Sequence, residues 1–326
     1  MRHYWQVAAG NVASGPNYSH LFLKHGLAFV GGDDQVALAE EVRAGDVLIL
    51  NDGARNIVAA GLVVERGGRH GGSDDKAWVR DVEGSDLRAY LFVDWHAAES
   101  PLEVKGLTRS SIGRTNKAEH HTIAEALLKN PPLPIEPEPG EPTLLSYADI
   151  IADLQTQSKY VDPIATLAAL ENIQAVYREQ AQEAQEWNED ETRDRLVKPL
   201  LTAFGWLKPE IKDTVKGQGL GRLLCCFPSM RSEKSLDVKV IECRRFSSGV
   251  DLSASQSNQI GKIFTGTRVL VVTNGVAMKL YSRPEVGAFK TDAGAYVNLA
   301  RPAERCPSNP KLPGALTALR YLLKKV

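Results

Sequence analysis

The sequence predicts an α/β protein in two modules, a small curved β-barrel followed, through a helical bridge, by an α/β core. Three observations carry this: short apolar runs between glycine-containing turns over residues 1–128, a proline-dense stretch at 130–142, and helical periodicity that gives way to two adjoining strand patterns between Trp187 and Arg245. With 326 residues, 43% hydrophobic and 24% charged, the chain can build two ordinary cores. A net charge of −1 declares no nucleic-acid partner, so any basic footprint has to be local.

In the first module, residues 4–10 alternate like a strand, and further strands are expected at 27–31, 46–51, 57–65 and 87–95. Asp52-Gly53 is a hairpin signal, and Gly67, Gly68, Gly71 and Gly72 mark a loop before the last of these strands. Many short strands with glycine turns argue a barrel. The words Gly45-Asp46-Val47-Leu48-Ile49-Leu50 and Ile57-Val58-Ala59-Ala60-Gly61-Leu62-Val63 resemble strands of PUA-like and EVE-like barrels, over much of residues 3–95. The resemblance implies a reader of RNA or of modified bases in DNA.

A pocket for an extruded base needs flat apolar faces and polar groups at the base edge. Trp5, Trp78 and Trp95 can supply the faces, with Tyr4 or His96 beside them; for each tryptophan the competing expectation is a core position. Trp95-His96, at the end of the expected strand, is the leading pair. The basic, hydroxyl-rich segment 105–117 offers Arg109, Arg114 and Lys117 to phosphate oxygens, or is a solvated loop. His120 and His121 point about 100° apart on a helix and have no cysteine nearby, which argues against zinc. A helix over 123–128 closes the module.

Proline at this density favours polyproline II, so 129–144 is expected to be a semi-rigid linker. Over 145–186 the chain turns helical: Ser146 caps a first helix to Gln157, and Asp162-Pro163 is a cap and first-turn pair for a second. This bridge is scaffold or a dimerisation face.

In the last module, 187–326, Leu196, Val197, Leu200, Leu201 and Phe204 recur at helical spacing until Gly205. A polar loop containing Lys216 leads to a strand at 223–227, and a turn at 228–235 returns the chain into a second, antiparallel strand at 236–243. Residues 187–283 resemble the N-terminal nuclease domain of type I restriction enzyme R subunits, a branch of the PD-(D/E)XK nucleases. Asn188, Glu189, Thr192, Arg193, Pro199, Leu200, Leu201, Gly205, Trp206, Gly221, Arg222, Glu242 and Gln259 match in order, as does Val269-Leu270-Val271-Val272-Thr273-Asn274-Gly275 with Leu280-Tyr281. The resemblance implies a restriction-endonuclease-like α/β core, with Glu189 and Glu242 as ligands of Mg²⁺, Arg244 on the scissile phosphate and Gln259 aligning it.

Two departures fall on the chemistry. Leu224 stands where the family's aspartate belongs, and Arg244 replaces the lysine of E-x-K. Mg²⁺ wants several oxygen ligands in near-octahedral array, and leucine supplies none. Asp237 cannot substitute, because five residues place it on the opposite strand face from Glu242 and about 17 Å away. Arginine keeps a positive charge but never gives up its proton. The expectation is a DNA-binding protein of restriction or phage-defence type whose nuclease site is degraded, with an active Mg²⁺-dependent endonuclease, and RNA binding through the barrel, as alternatives.

Between Lys212 and Arg245 eight cations face four anions, a local excess that suits a nucleic-acid backbone and includes Lys216, Arg222 and Arg245 as phosphate contacts. The apolar end of the chain predicts a strand at 269–273, a turn at Asn274-Gly275, a partner strand at 277–281 and a final helix at 313–325. Four cysteines form neither a disulfide framework nor a CxxC pair, and the start of the chain lacks an apolar leader; with no membrane-length apolar run, the expected compartment is the cytoplasm.

Overall fold

A computed structural model describes residues 2–9, 17–53, 55–107, 111–214, 220–226, 238–284 and 287–324. Arg109, Lys216, Asp237 and the turn at 228–235 lie outside the described residues. The chain divides into two compact units, Met1–Glu141 and Pro142–Val326.

The first unit contains strand β1 (Tyr4–Ala8), helix α1 (Ser19–His25), β2 (Leu27–Val30), α2 (Asp33–Glu41), β3 (Val47–Asp52), β4 (Asn56–Val63), β5 (Gly71–Ser73), β6 (Ala89–Glu103), β7 (Ile112–Arg114) and α3 (Ala118–Leu127). The strands order as β2-β6-β4-β3-β1-β7, with β5 added on β6, in a curled half-barrel sheet whose described path ends at β2 and β7. β1 runs parallel to β3 and the other pairs are antiparallel. β3 is apolar from Val47 to Leu50 because both its faces are covered there. Leu48 and Leu50 join the cluster that holds Trp5, Trp78 and Trp95, while Val47 and Ile49 pack towards Ala124 and Leu127 of α3.

The proline-dense stretch is not a free spacer in its first part. Its prolines cannot donate, but two of the other N–H groups are used: Leu133 N–H donates to Trp95 O and Glu136 N–H to Lys24 O. Glu138 accepts from Lys76 Nζ at 2.5 Å and from the Trp78 indole at 3.3 Å. Residues 130–138 therefore form a strap along the first unit, whereas Thr143 and Leu145 hydrogen-bond to Glu304 and Pro302 of the second.

The second unit begins with α4 (Tyr147–Gln157) and α5 (Pro163–Glu179), capped by Ser146 and Asp162 respectively, and the short α6 (Ala181–Ala184). Next come α7 (Glu189–Thr192), a π-helical turn at Arg193–Val197 and α8 (Lys198–Ala203). Pro199 removes an N–H and crowds the preceding turn, which accounts for the wider turn at that place. Strands β8 (Ile211–Asp213), β9 (Arg222–Cys226) and β10 (Lys239–Cys243) are followed by α9 (Ala254–Ile263), β11 (Val269–Thr273), β12 (Ala277–Ser282), β13 (Ala295–Asn298), the small pair β14 (Arg305–Cys306) and β15 (Asn309–Pro313), and α10 (Ala315–Leu322).

β13-β12-β11-β10-β9-β8 form one mixed sheet in which only β10 and β11 pair in parallel. Its two faces bury different sets. Leu224, Cys226, Ile241, Cys243 and Val271 pack against α4, α5 and α8 through Ile150, Leu154, Leu170, Ile173, Leu200 and Leu201. Leu223, Cys225, Val240, Leu270, Val272 and Tyr281 pack towards Ile260 of α9. The helices expected as a bridge thus share one hydrophobic cluster with the sheet and form a layer of this unit.

Candidate active site

β10 carries the candidate carboxylate. Alternation along the strand sends Ile241 and Cys243 into the helical layer and Glu242 to the face shared with Val240, where it is fully buried. In register, Glu242 sits opposite Leu223 on β9 and Val272 on β11, and Val272 in turn opposes Lys279 on β12. Leu224 opposes Ile241, so its side chain lies on the other face of the sheet. The position taken from the family pattern as the missing aspartate is therefore not Glu242's neighbour; Leu223 is.

A buried carboxylate is costly unless it is paired and hydrogen-bonded. Glu242 Oε1 accepts from Gly221 N–H at 3.0 Å and from Arg244 Nε at 3.3 Å, and Oε2 accepts from Arg244 Nη2 at 3.3 Å. The same guanidinium donates to Gly249 O at 2.8 Å, Asp251 O at 2.7 Å and Gln256 Oε1 at 3.3 Å. Two residues on, alternation along the chain gives Arg244 the same face as Glu242, as expected; its commitment to the carboxylate and to the loop after β10 is the new fact.

That loop is braced from the sheet. Lys279 Nζ, almost fully buried, donates to Asp251 Oδ1 at 2.6 Å, and Tyr281 Oη donates to Val250 O at 2.8 Å while accepting from Leu252 N–H. Burial pushes the Tyr281 hydroxyl well above its ordinary pKa, so it stays a neutral donor. Ser253 and Gln256 form the capping box of α9, which aims the Gln256 amide at Arg244. Gln259 lies one turn further along α9, half-buried, and the amide that reaches Arg244 is that of Gln256. The Ser253-x-x-Gln256 spacing was the sequence signal for it.

Glu189 pairs with a different arginine. It begins α7 and accepts from Arg245 Nε at 3.2 Å. The two carboxylates expected to share a metal are thus each held by a separate arginine. Among the described residues no group of three or more His, Cys, Asp or Glu side chains is placed to hold a metal ion.

The rest of the N-E-x-x-T-R motif is structural. Asn188 caps α7 with Glu191 in a reciprocal capping box, and the buried Thr192 hydroxyl donates to Asn188 O. Arg193, nearly buried, is a hub for Asp190, Asp194 and Asp213, a role the sequence reading missed. Its hydrogen bonds hold the Asp194 carboxyl down at about 2. Arg222, expected on phosphate, instead places its fork on Asp190, with Nε–Oδ1 at 2.6 Å and Nη2–Oδ2 at 2.8 Å. Lys239 is buried, with its ammonium 4.3 Å from the Tyr321 ring centre. Much of the described basic excess between Lys212 and Arg245 is therefore internally engaged.

The tryptophans of the first unit are core and not a cage. Trp5, Trp78 and Trp95 are 0%, 2% and 1% exposed, and their indole N–H groups donate to Asp46, Glu138 and Leu27 O respectively. Trp95 and His96 lie inside β6, which runs on to Glu103, and not at a strand end. His96 Nδ1 donates to Asn130 O at 2.6 Å. Arg114 stacks 4.7 Å above Trp5, and Lys117 Nζ donates to Gly106 O. His120 is buried among Gln6, Thr115 and Lys105 O, and His121 stacks on Tyr4.

No family model, no curated protein and no solved structure matches the chain.

Proposed function

We propose that the chain is a DNA-binding protein of restriction or phage-defence type, whose second unit descends from a metal-dependent nuclease and holds DNA without cutting it. The observation that carries this is the clamp of Arg244 on Glu242. Hydrolysis of a phosphodiester by a metal site needs carboxylate oxygens open to the ion and a water made acidic by it. Here Glu242 spends both oxygens on an arginine and a backbone N–H. A guanidinium cannot take a proton from water, so Arg244 offers charge without base chemistry.

The DNA half of the proposal rests on the sequence resemblance and on outward-facing cations, Arg245 with a side chain 60% exposed and Arg114 with one 51% exposed. Contacts of that type fix a protein on the phosphate backbone and are salt-dependent. The buried tryptophans take no part in it. Gel retardation of duplex DNA, run beside plasmid cleavage in Mg²⁺ and in Mn²⁺, tests both halves. Retardation that weakens with salt and no nicking support the proposal; no retardation of DNA at low salt refutes its first half, and nicking refutes its second.

A further inference from the structure

The further inference rests on the reading of a non-cutting site and concerns what holds that site together. Five oxygens converge on one side chain: both carboxylate oxygens of Glu242, the carbonyls of Gly249 and Asp251, and the amide oxygen of Gln256, all 2.7–3.3 Å from nitrogens of Arg244. Each is an acceptor, the two of Glu242 share a fully buried charge, and the Arg244 side chain is itself only 11% exposed. Such a nest requires a cation at its centre.

The donor set distinguishes which cation. Mg²⁺ draws its oxygens to about 2.1 Å in a near-octahedral shell. These oxygens are instead spread around the edge of a planar fork, and Lys279, Tyr281 and the α9 capping box brace the loop and helix that supply three of them. The residues present fit a guanidinium and do not fit a small divalent ion. We propose that Arg244 is a built-in replacement for the nuclease metal: its guanidinium is the resident cation of the Glu242 site, fixing the loop from Arg245 to Leu252 and keeping divalent ions out.

Two measurements on the full chain test this. Mn²⁺ titration followed by electron paramagnetic resonance should find no stoichiometric site in wild type that Glu242→Gln removes. Thermal melting should show Arg244→Ala falling by roughly 10 °C. Low millimolar guanidinium chloride should restore part of that loss where equal KCl does not, and restore nothing in Glu242→Gln/Arg244→Ala. Should Arg244→Ala fail to fold, its refolding yield with guanidinium against KCl replaces the melting temperature under the same criteria. A Mn²⁺ site in wild type that depends on Glu242, or an Arg244→Ala protein indifferent to guanidinium, overturns the proposal. Failed rescue beside a wild type that still does not nick DNA overturns this inference alone; nicking by wild type overturns the functional reading beneath it.

Discussion

Arg244 and Glu242, two residues apart in the sequence, meet through two contacts of 3.3 Å, and both lie beneath the protein surface. Removing one member strands the other's charge, so Glu242→Ala or Arg244→Ala should each cost about 3–5 kcal/mol. Replacing both with apolar residues of similar size, as in Glu242→Leu/Arg244→Met, should cost clearly less than the sum of the two single changes, since no unpaired charge remains. Urea denaturation of the three variants measures the difference.

Face parity in the sheet separates two leucines that are neighbours in sequence. Leu223 opposes Glu242 and Leu224 opposes Ile241. Leu223→Asp/Arg244→Lys should therefore place a second carboxylate beside Glu242 and become stabilised by Mn²⁺, by about 2.7 kcal/mol at a hundredfold excess over Kd. Leu224→Asp/Arg244→Lys puts its carboxylate into the apolar helical layer, where it should destabilise the protein with or without the ion. Melting curves with and without Mn²⁺ distinguish the two.

The sequence made the sheet and its helices readable because their periodicities are strong: α4, α5, β9 to β12 and the capping residues Ser146 and Asp162 lie close to where pattern and cap chemistry put them. It made Glu242 and Arg244 readable as a pair on one face, because alternation along a strand is local. What it could not show depends on register between strands and on tertiary partners. Leu224 was aligned by spacing from Gly221-Arg222, but only pairing with β10 reveals its face. Arg222 and Asp190 are far apart in sequence, as are Arg193 and Asp213, so their pairing left no local trace. The three tryptophans carry the same apolar signal whether they stack on a base or pack edge-to-face in the core, as Trp78 does against Phe29 and His25. The proline-dense strap read as a spacer because the partners of Leu133, Glu136 and Glu138, namely Trp95, Lys24 and Lys76, lie in the same unit but far away in sequence.

Acid stability of the first unit should report on Asp46. Burial alone would raise its pKa, but hydrogen bonds from the backbone of His3 and Arg43 and from the Trp5 indole override this and hold it below the ordinary 3.8. A carboxylate depressed on folding stabilises the native state above its unfolded pKa and loses that contribution as pH falls through the folded value. The stability gap between wild type and Asp46→Asn should be constant from neutral pH down to about 4 and close below it. Guanidine melts followed by tryptophan fluorescence at several pH values would show it; a gap that widens in acid would be the wrong sign.

The strap should loosen when its polar anchor is cut. Glu138 joins Lys76 and the Trp78 indole, and Lys76 also lies 4.7 Å from the Tyr90 ring centre. Glu138→Ala should cost about 1–3 kcal/mol, most of it from the unpaired ammonium and indole N–H, and should speed proteolytic cleavage between residues 130 and 142. Limited proteolysis with mass mapping of the first cut is the check; a first cut elsewhere, at unchanged rate, would detach the strap from this anchor.

The proposed conversion of a nuclease-like site into a holding site is best read on supercoiled plasmid. Wild type and Glu242→Ala, both confirmed as folded, would be incubated with plasmid in Mg²⁺ and in Mn²⁺, with retardation measured in parallel. Neither protein should nick the plasmid, and wild type should retard it. Nicking by wild type that Glu242→Ala abolishes would mean that the Glu242 site still cuts DNA.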